Sequence, residues 1–333
     1  KKFPMTQYLG SKRKLIEWII SRFPNIDSVF DAFSGSGVVS YYLKKKEIQV
    51  ISNDFLKSSF LYAKALIENN KIILSQEDID MLISKNKNKK TYIENNYSGF
   101  FYTKDECIFV DNTIANINEL NDEYKKALAF SCLIRTCIQK IPGGKFRRGL
   151  LKYRNPNFKH YRPKFSKEIK ETFLHFIKQF NEAVLDNHRN NKAYNENVFD
   201  LIKNIKTDAV YFDPPYGGSG FDYEKDYFFV ELITKYYGKI NEFVGKSKVY
   251  KNLQFSGFNK NVLLKDSFEN LFKSAKHIPI WVISYNNRSL PPIDEFISMI
   301  RKYKKIQKIY EKKYHYKMGD SKGLKEFLFI CVD

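Results

Sequence analysis

Two consecutive prolines set between a carboxylate and a phenol, Asp213-Pro214-Pro215-Tyr216, form the segment of this chain best suited to chemistry. They follow an apolar, β-prone run over 209–212. Proline has no N–H to donate, so the pair ends a strand ladder and leaves a stiff turn that projects its neighbours outward. In such a turn the Asp213 carboxylate and the Pro214 carbonyl face one point. Together they can accept both hydrogens of an exocyclic amine, while the Tyr216 ring offers a flat surface for a base. An amine held this way has its lone pair localised on nitrogen, and fixed acceptors stabilise the positive charge that develops as it attacks. The competing reading is an ordinary strand-ending turn; a second segment weighs against it.

That segment is Phe33-Ser34-Gly35-Ser36-Gly37, followed by Asp54. Gly35 and Gly37 let a backbone approach a ligand, and an acid about twenty residues further on can accept from ribose hydroxyls. The geometry suits a nucleoside. The dinucleotide fingerprint is incomplete, because Ser40 stands where its third glycine belongs. A plain tight turn remains the alternative.

These turns need elements to hold them. Periodicity predicts a helix over 15–20, a strand over 28–32, a helix over 38–46 and a strand over 48–52 closing on Asn53-Asp54. This is a βαβ unit, and strands resume only at 209–212 and 278–284. In an open α/β sheet, ligands sit at the carboxyl ends of the strands, so both turns are expected at one edge. Between them, helical patterns over 61–69, 123–139 and 167–187 predict a separate, mainly helical lobe inserted into the sheet.

The chain resembles the Dam-type family of S-adenosylmethionine-dependent DNA adenine N6-methyltransferases. The resemblance rests on Tyr8-Leu9-Gly10-Ser11-Lys12, the loop from Asp31 through Phe33 and Gly35 to Gly37, Asn53-Asp54, and Asp213-Pro214-Pro215-Tyr216, which occur in the family's order. It implies a Rossmann-like methyltransferase sheet built from 1–60 and 190–333, with 61–189 as an inserted DNA-recognition domain. It implies that Tyr8 and Lys12 border the S-adenosylmethionine site, that Asp31, Phe33, Gly35 and Gly37 shape it, and that Asp54 holds the ribose. Asp200 is implied to receive the cofactor's adenine amine, and Asp213 to serve both pockets. The family often has tryptophan where this chain has Tyr8, which keeps an aromatic face.

The insertion carries a second signal. From Tyr124 to Lys167 there is no Asp or Glu, yet the stretch includes Lys145, Arg147, Arg148, Lys152, Arg154, Lys159 and Arg162. Phe146, Tyr153, Phe158, Tyr161 and Phe165 alternate with these charges. Lysines and arginines so placed neutralise phosphates, and Arg147, Arg148 and Arg154 are candidates to read guanine edges. A solvated basic surface is the other reading. The whole chain has 333 residues and a formal charge of +20, from 57 Lys and Arg against 37 Asp and Glu. Such a charge attracts polyanions, although a coding bias toward lysine produces the same total. A second basic, aromatic stretch over 301–317 fits a hairpin touching DNA or a sheet edge protected by lysines. Gly217-Gly218-Ser219-Gly220 and the aromatics from Phe221 to Phe229 suit a lid over an extruded base, or a loop without that role.

Composition excludes other classes. At 43% hydrophobic and 16% aromatic the chain can form a core and is not a disordered or collagen-like polymer. Cys107, Cys132, Cys137 and Cys331 form no metal-spaced pair, so no metal is expected, and sparse cysteine suits a reduced, cytoplasmic compartment. No apolar run reaches the roughly 18 residues of a membrane span. The expected partner is double-stranded DNA and the expected state a monomer. In a restriction-modification setting, the endonuclease would be a separate chain. Methylation of RNA adenine or of cytosine N4, and DNA binding without catalysis, are the alternatives.

Overall fold

The computed structural model describes residues 1–4, 10–144, 146, 149, 151–215, 226–235, 258, 263–313 and 323–333, with the backbone of 243–244 and 249–250. The chain divides into two compact units. One comprises Lys12–Phe55, Asn187–Tyr223 and Gln254–Asp333; the other comprises Lys1–Ser11, Leu56–Asp186 and Glu224–Leu253. The helical unit therefore takes in three stretches, at 1–11, 56–60 and 224–253, that the sequence assigns to the catalytic domain.

The first unit is a seven-stranded sheet: β1 (Ser28–Asp31), β2 (Gln49–Asn53), β3 (Lys192–Tyr194), β4 (Ala209–Phe212), β5 (Ile280–Asn286), β6 (Lys305–Lys313) and β7 (Lys325–Val332). Their order is β3-β2-β1-β4-β5-β7-β6. The first five are parallel, and β7 runs antiparallel between β5 and β6. Central parallel strands are covered on both faces and read as continuous apolar runs, and all four residues of β4 are buried. The helices Leu264–Ala275 and Ile293–Arg301 contribute Phe268, Phe272 and Phe296 to an aromatic core with Trp281 and Tyr285 of β5. Tyr285 and Phe296 stack with centroids 3.9 Å apart.

The second unit is built on the helices Lys104–Glu119, Glu123–Gln139 and Ile169–Ala183. Asp122 caps the middle helix by accepting from the N–H groups of Tyr124 and Lys125, at 2.8 and 2.9 Å. Helix Lys104–Glu119 starts with a capping box, in which Thr103 and Glu106 satisfy each other's backbone N–H. An aromatic cluster closes this core, with Phe146 stacked on Phe229 at 4.8 Å and Tyr97 edge-on to Phe229 at 5.1 Å. Two expectations are corrected here. Tyr227, Phe228 and Phe229 are not lid aromatics but buried core, and Phe146 packs inward against them rather than interleaving with surface cations. Burying such large rings contributes more than leaving them in solvent, and the helices supply the partners.

Candidate active site

Parallel strands β1, β2 and β4 bring three acids to their carboxyl ends. Asp31 is the last residue of β1, Asp54 follows β2, and Asp213 follows β4. Asp31 pairs in register with Tyr211, two residues before Asp213, and with Ser52, two before Asp54. The adjacency is thus a direct product of strand register. The Phe33–Gly37 turn sits on the same edge. Ser34 N–H donates to the Asn53 carbonyl at 2.9 Å, Gly35 N–H donates to Asp54 Oδ2 at 2.8 Å, and Gly37 N–H closes the turn on the Ser34 carbonyl at 2.7 Å. Gly37 has φ of 77°, in the left-handed region that glycine enters without strain.

The end of β3 completes the platform. Asn53 exchanges two side-chain hydrogen bonds with the backbone of Glu196, each 3.1 Å, and Asn195 Nδ2 donates to the Asp54 and Phe55 carbonyls, both at 2.9 Å. Asp54 is thereby held from both strands. Half-buried Phe33 lies edge-on to Phe258 at 5.4 Å, and Phe258 stacks on Phe199 at 5.8 Å, giving the turn an aromatic flank.

The electrostatics are acidic. Asp31 is 1% exposed; its Oδ2 accepts from Ser40 Oγ at 2.6 Å, which in turn bonds Ser52 Oγ at 2.7 Å, and its Oδ1 has no close hydrogen-bond partner among the described residues. Burial raises the Asp31 pKa to about 7, with the charges of Asp213 and Asp54 adding to the rise and the Ser40 bond opposing it. Lys12 supplies the balancing charge. Its Nζ lies 2.9 Å from Asp213 Oδ1 and 3.0 Å from Glu326 Oε1. Lys12 therefore reaches the Asp213 carboxylate directly.

Not every expected residue joins this group. Asp200, in the short helix Val198–Leu201, is exposed, and its carboxylate lies 3.4 Å from Lys203. No described contact links it to Asp31, Asp54 or Asp213. Pro214 is buried and Pro215 half-buried, whereas Tyr8, Tyr216 and the stretch 217–225 lie outside the described residues. Glu326 was not foreseen. It is a lone acid at the start of an apolar strand, next to Lys325, and nothing in that pattern distinguishes it from a solvated strand end.

The basic segment of the helical unit separates into two classes. Lys152, Lys159 and Arg162 are exposed, while Lys145, Arg147 and Arg148 lie outside the described residues. Arg154 is a correction to the expected guanine reader. Its guanidinium is ion-paired with Glu106 and donates to the Phe101 and Lys140 carbonyls at 3.1 and 3.2 Å, so three of its five donors are committed internally. Lys140 pairs with the other Glu106 oxygen at 2.7 Å. Burial works to raise the Glu106 pKa, but Arg154 and Lys140 outweigh it and hold the carboxyl below its usual range.

All four cysteines are buried and reduced, and no group of ligating side chains suits a metal among the described residues. Nor is any described helix long and apolar enough to cross a membrane.

Comparison with known proteins agrees with this geometry. The model of the D12 class N6 adenine-specific DNA methyltransferases matches residues 8–285. The chain is 34% identical over 342 residues to Type II methyltransferase M2.HphI of Haemophilus parahaemolyticus, covering 99% of this chain and 98% of that protein. It is 26% identical to Type II methyltransferase M.NlaIII of Neisseria lactamica, over 92% of this chain and 91% of that one. Type II methyltransferase M.FokI of Planomicrobium okeanokoites is 27% identical over 97% of this chain, which spans about half of it, 52%. With its seven-stranded sheet, acidic carboxyl edge and family match over most of its length, the chain belongs to the D12 class of N6 adenine-specific DNA methyltransferases.

Proposed function

We propose that this enzyme is the modification methyltransferase of a restriction-modification system, acting with S-adenosylmethionine on N6 of adenine in one short duplex sequence. The observation that carries the reading is the sheet edge where Asp31, Asp54 and Asp213 converge beside a turn with no side chains at Gly35 and Gly37. An acidic, glycine-lined site fits S-adenosylmethionine, which presents cationic sulfonium and ammonium groups and ribose hydroxyls. When bound, it supplies an electrophilic methyl group on sulfur. Asp54 would hold the ribose, Gly35 and Gly37 would admit the ligand to the backbone, Asp31 when ionised would contribute negative potential, and Phe33 would offer an aromatic wall.

The substrate amine is paired inside a duplex, so the base must leave the stack before it can be aligned. Asp213 and the Pro214 carbonyl then accept its two hydrogens, and Tyr216 stacks on the ring. The donor would supply its methyl carbon to the N6 lone pair, the electrons of the broken S–C bond would stay on sulfur, and the surplus proton on N6 would leave to water. No covalent enzyme intermediate arises, so positioning and electrostatics supply the acceleration. On the helical unit, Lys152, Lys159 and Arg162 are assigned to phosphates, with Lys145, Arg147 and Arg148 as further DNA contacts. Relatives named as type II methyltransferases support the restriction-modification setting; a cognate endonuclease on a separate chain, a monomeric enzyme and a cytoplasmic setting belong to the same proposal.

The test is single-molecule sequencing of DNA from a methylation-free host expressing this chain, beside Asp213→Ala. A single fully methylated adenine motif, absent with the variant, is expected. Loss of activity by about 100-fold or more is the scale for removing a preorganised transition-state partner. Asp213→Ala should still fold, because Lys12 keeps Glu326 as its counter-ion. Methylation of every adenine, or of cytosine, would refute the reading.

A further inference from the structure

Glu326 is 2% exposed at the start of β7, in register with Asn286 of β5 and Lys312 of β6. Its described polar contact is with Lys12, whose Nζ stands 3.0 Å from Glu326 and 2.9 Å from Asp213. The three side chains are 3%, 8% and 17% exposed in the order Glu326, Lys12, Asp213. Burying a carboxylate costs free energy, and an ion pair seldom recovers more than well-packed apolar side chains of the same volume would contribute. The neighbours in β7, Phe327 to Cys331, are apolar, so an apolar residue would suit the sheet at this position. The arrangement is therefore better explained by what it does to Lys12 than by what it adds to stability.

Lysine is a compact point charge on a flexible stem. With Asp213 as its sole acid it could follow that carboxylate through several rotamers. A second acid on β7, separated from β4 by β5, holds the ammonium between two carboxylates, and so fixes Asp213 Oδ1. It also divides the ammonium charge. An Asp213 that alone neutralised Lys12 would be a weaker acceptor for a third group, because a carboxylate's accepting strength falls as nearby positive charge goes unshared.

We propose that Glu326 is a positioning residue for methyl transfer: through Lys12 it orients the Asp213 carboxylate and shares the ammonium charge, so that Asp213 retains its strength as acceptor for the adenine amine. This role rests on the assignment of Asp213 proposed above. Glu326 touches neither substrate nor methyl donor in this scheme and acts only through Lys12.

The experiment compares full-length wild type, Glu326→Gln, Glu326→Asp, Lys12→Met and the double variant Lys12→Met/Glu326→Gln. Single-turnover methyl transfer to a duplex containing the enzyme's own site is measured beside equilibrium binding of that duplex, of S-adenosylmethionine, and thermal unfolding. Glu326→Gln is expected to slow transfer by about tenfold, the scale of removing one charge from an ion pair at 3.0 Å, with both affinities and the unfolding temperature preserved. Glu326→Asp keeps the charge but withdraws it by one methylene, and its rate should fall between wild type and Glu326→Gln. In the Lys12→Met background the Glu326 substitution should add no further loss.

Three results would overturn the role: an unchanged rate in Glu326→Gln, a loss of affinity or stability matching the loss of rate, or an undiminished Glu326 effect without Lys12. Should Glu326→Gln fail to fold, Glu326→Asp decides, since a rate equal to wild type would show that the position of the charge is immaterial. A wild-type chain that methylates no duplex adenine would instead refute the assignment of Asp213, and this role with it.

Discussion

Asp31 and Asp213 are acids on adjacent strands with opposite electrostatic situations. Asp213 has an ammonium at 2.9 Å, whereas Asp31 is fully enclosed and relies on the Ser40 hydroxyl. Desolvation therefore dominates at Asp31 and lifts its pKa to about 7 from the ordinary carboxylate value of 3.8. The folded chain then binds this proton more tightly than the unfolded chain does. Its contribution to stability is complete below the unfolded pKa, near 4, and is lost as pH rises through about 7. Asp31→Asn removes that dependence while keeping an acceptor for Ser40. At pH 8 the ligand-free variant should unfold at a higher temperature than wild type, and near pH 4 the difference should vanish. Glu326, also raised to about 7 by burial, contributes the same sign to both proteins and cancels from the comparison. Calorimetry across this range checks it; a variant less stable than wild type at pH 8 would contradict the desolvation account.

Among the connecting elements, the glycine turn and the loop anchored on Glu106 decide how exactly the site residues are presented. Gly37 and Gly99 have nearly equal φ values of 77° and 75°, and a Cβ at either meets no heavy atom within 4 Å. Alanine at each should therefore cost a similar amount, about 1 kcal/mol, from backbone conformation alone. Only Gly37→Ala is expected to weaken binding of S-adenosylmethionine, because only that turn adjoins Asp54. Denaturant unfolding and a binding titration on the two variants separate strain from function. In the helical unit, Glu106 ties helix Lys104–Glu119 to Lys140 at the end of the next helix and to Arg154 in the basic loop. Removing its charge leaves two buried cations uncompensated. Glu106→Gln should destabilise by about 3 kcal/mol, and DNA affinity should fall while affinity for the methyl donor is retained. Parallel binding assays test this, and an equal loss of both affinities would count against a role confined to the basic loop.

At the scale of the molecule, the charge of +20 is unevenly spread: four acids are gathered at or near the sheet's carboxyl edge, and exposed cations lie along 152–167 of the helical unit. A cationic loop meeting DNA acts through release of condensed counterions. If Lys159 contacts a phosphate, Lys159→Ala should reduce the slope of log affinity against log salt by about 0.9, with little change in sequence preference. Arg154→Ala should instead resemble Glu106→Gln, losing stability first, because Arg154 is paired internally. Salt titrations of the two alanine variants distinguish a phosphate contact from a structural cation.

Local residue types were sufficient to identify the two turns, the α/β class and the interruption of the sheet. Proline pairs, glycines and apolar periodicity act within a few residues, so Phe33–Gly37, Asp54 and Asp213 were legible as one edge before any strand order was known. The helix Glu123–Gln139 was legible for the same reason, whereas Lys104–Glu119 was missed because its buried face includes Glu106, Asp111 and Asn116. Partnership between distant charges was not legible at all. Arg154 looks like any other cation of its loop until Glu106 is brought to it, and Lys12 carries no mark of Glu326 more than three hundred residues away. Strand register and burial decide such pairings, since the free energy of an ionised group depends on what surrounds it in space and not on its neighbours along the chain.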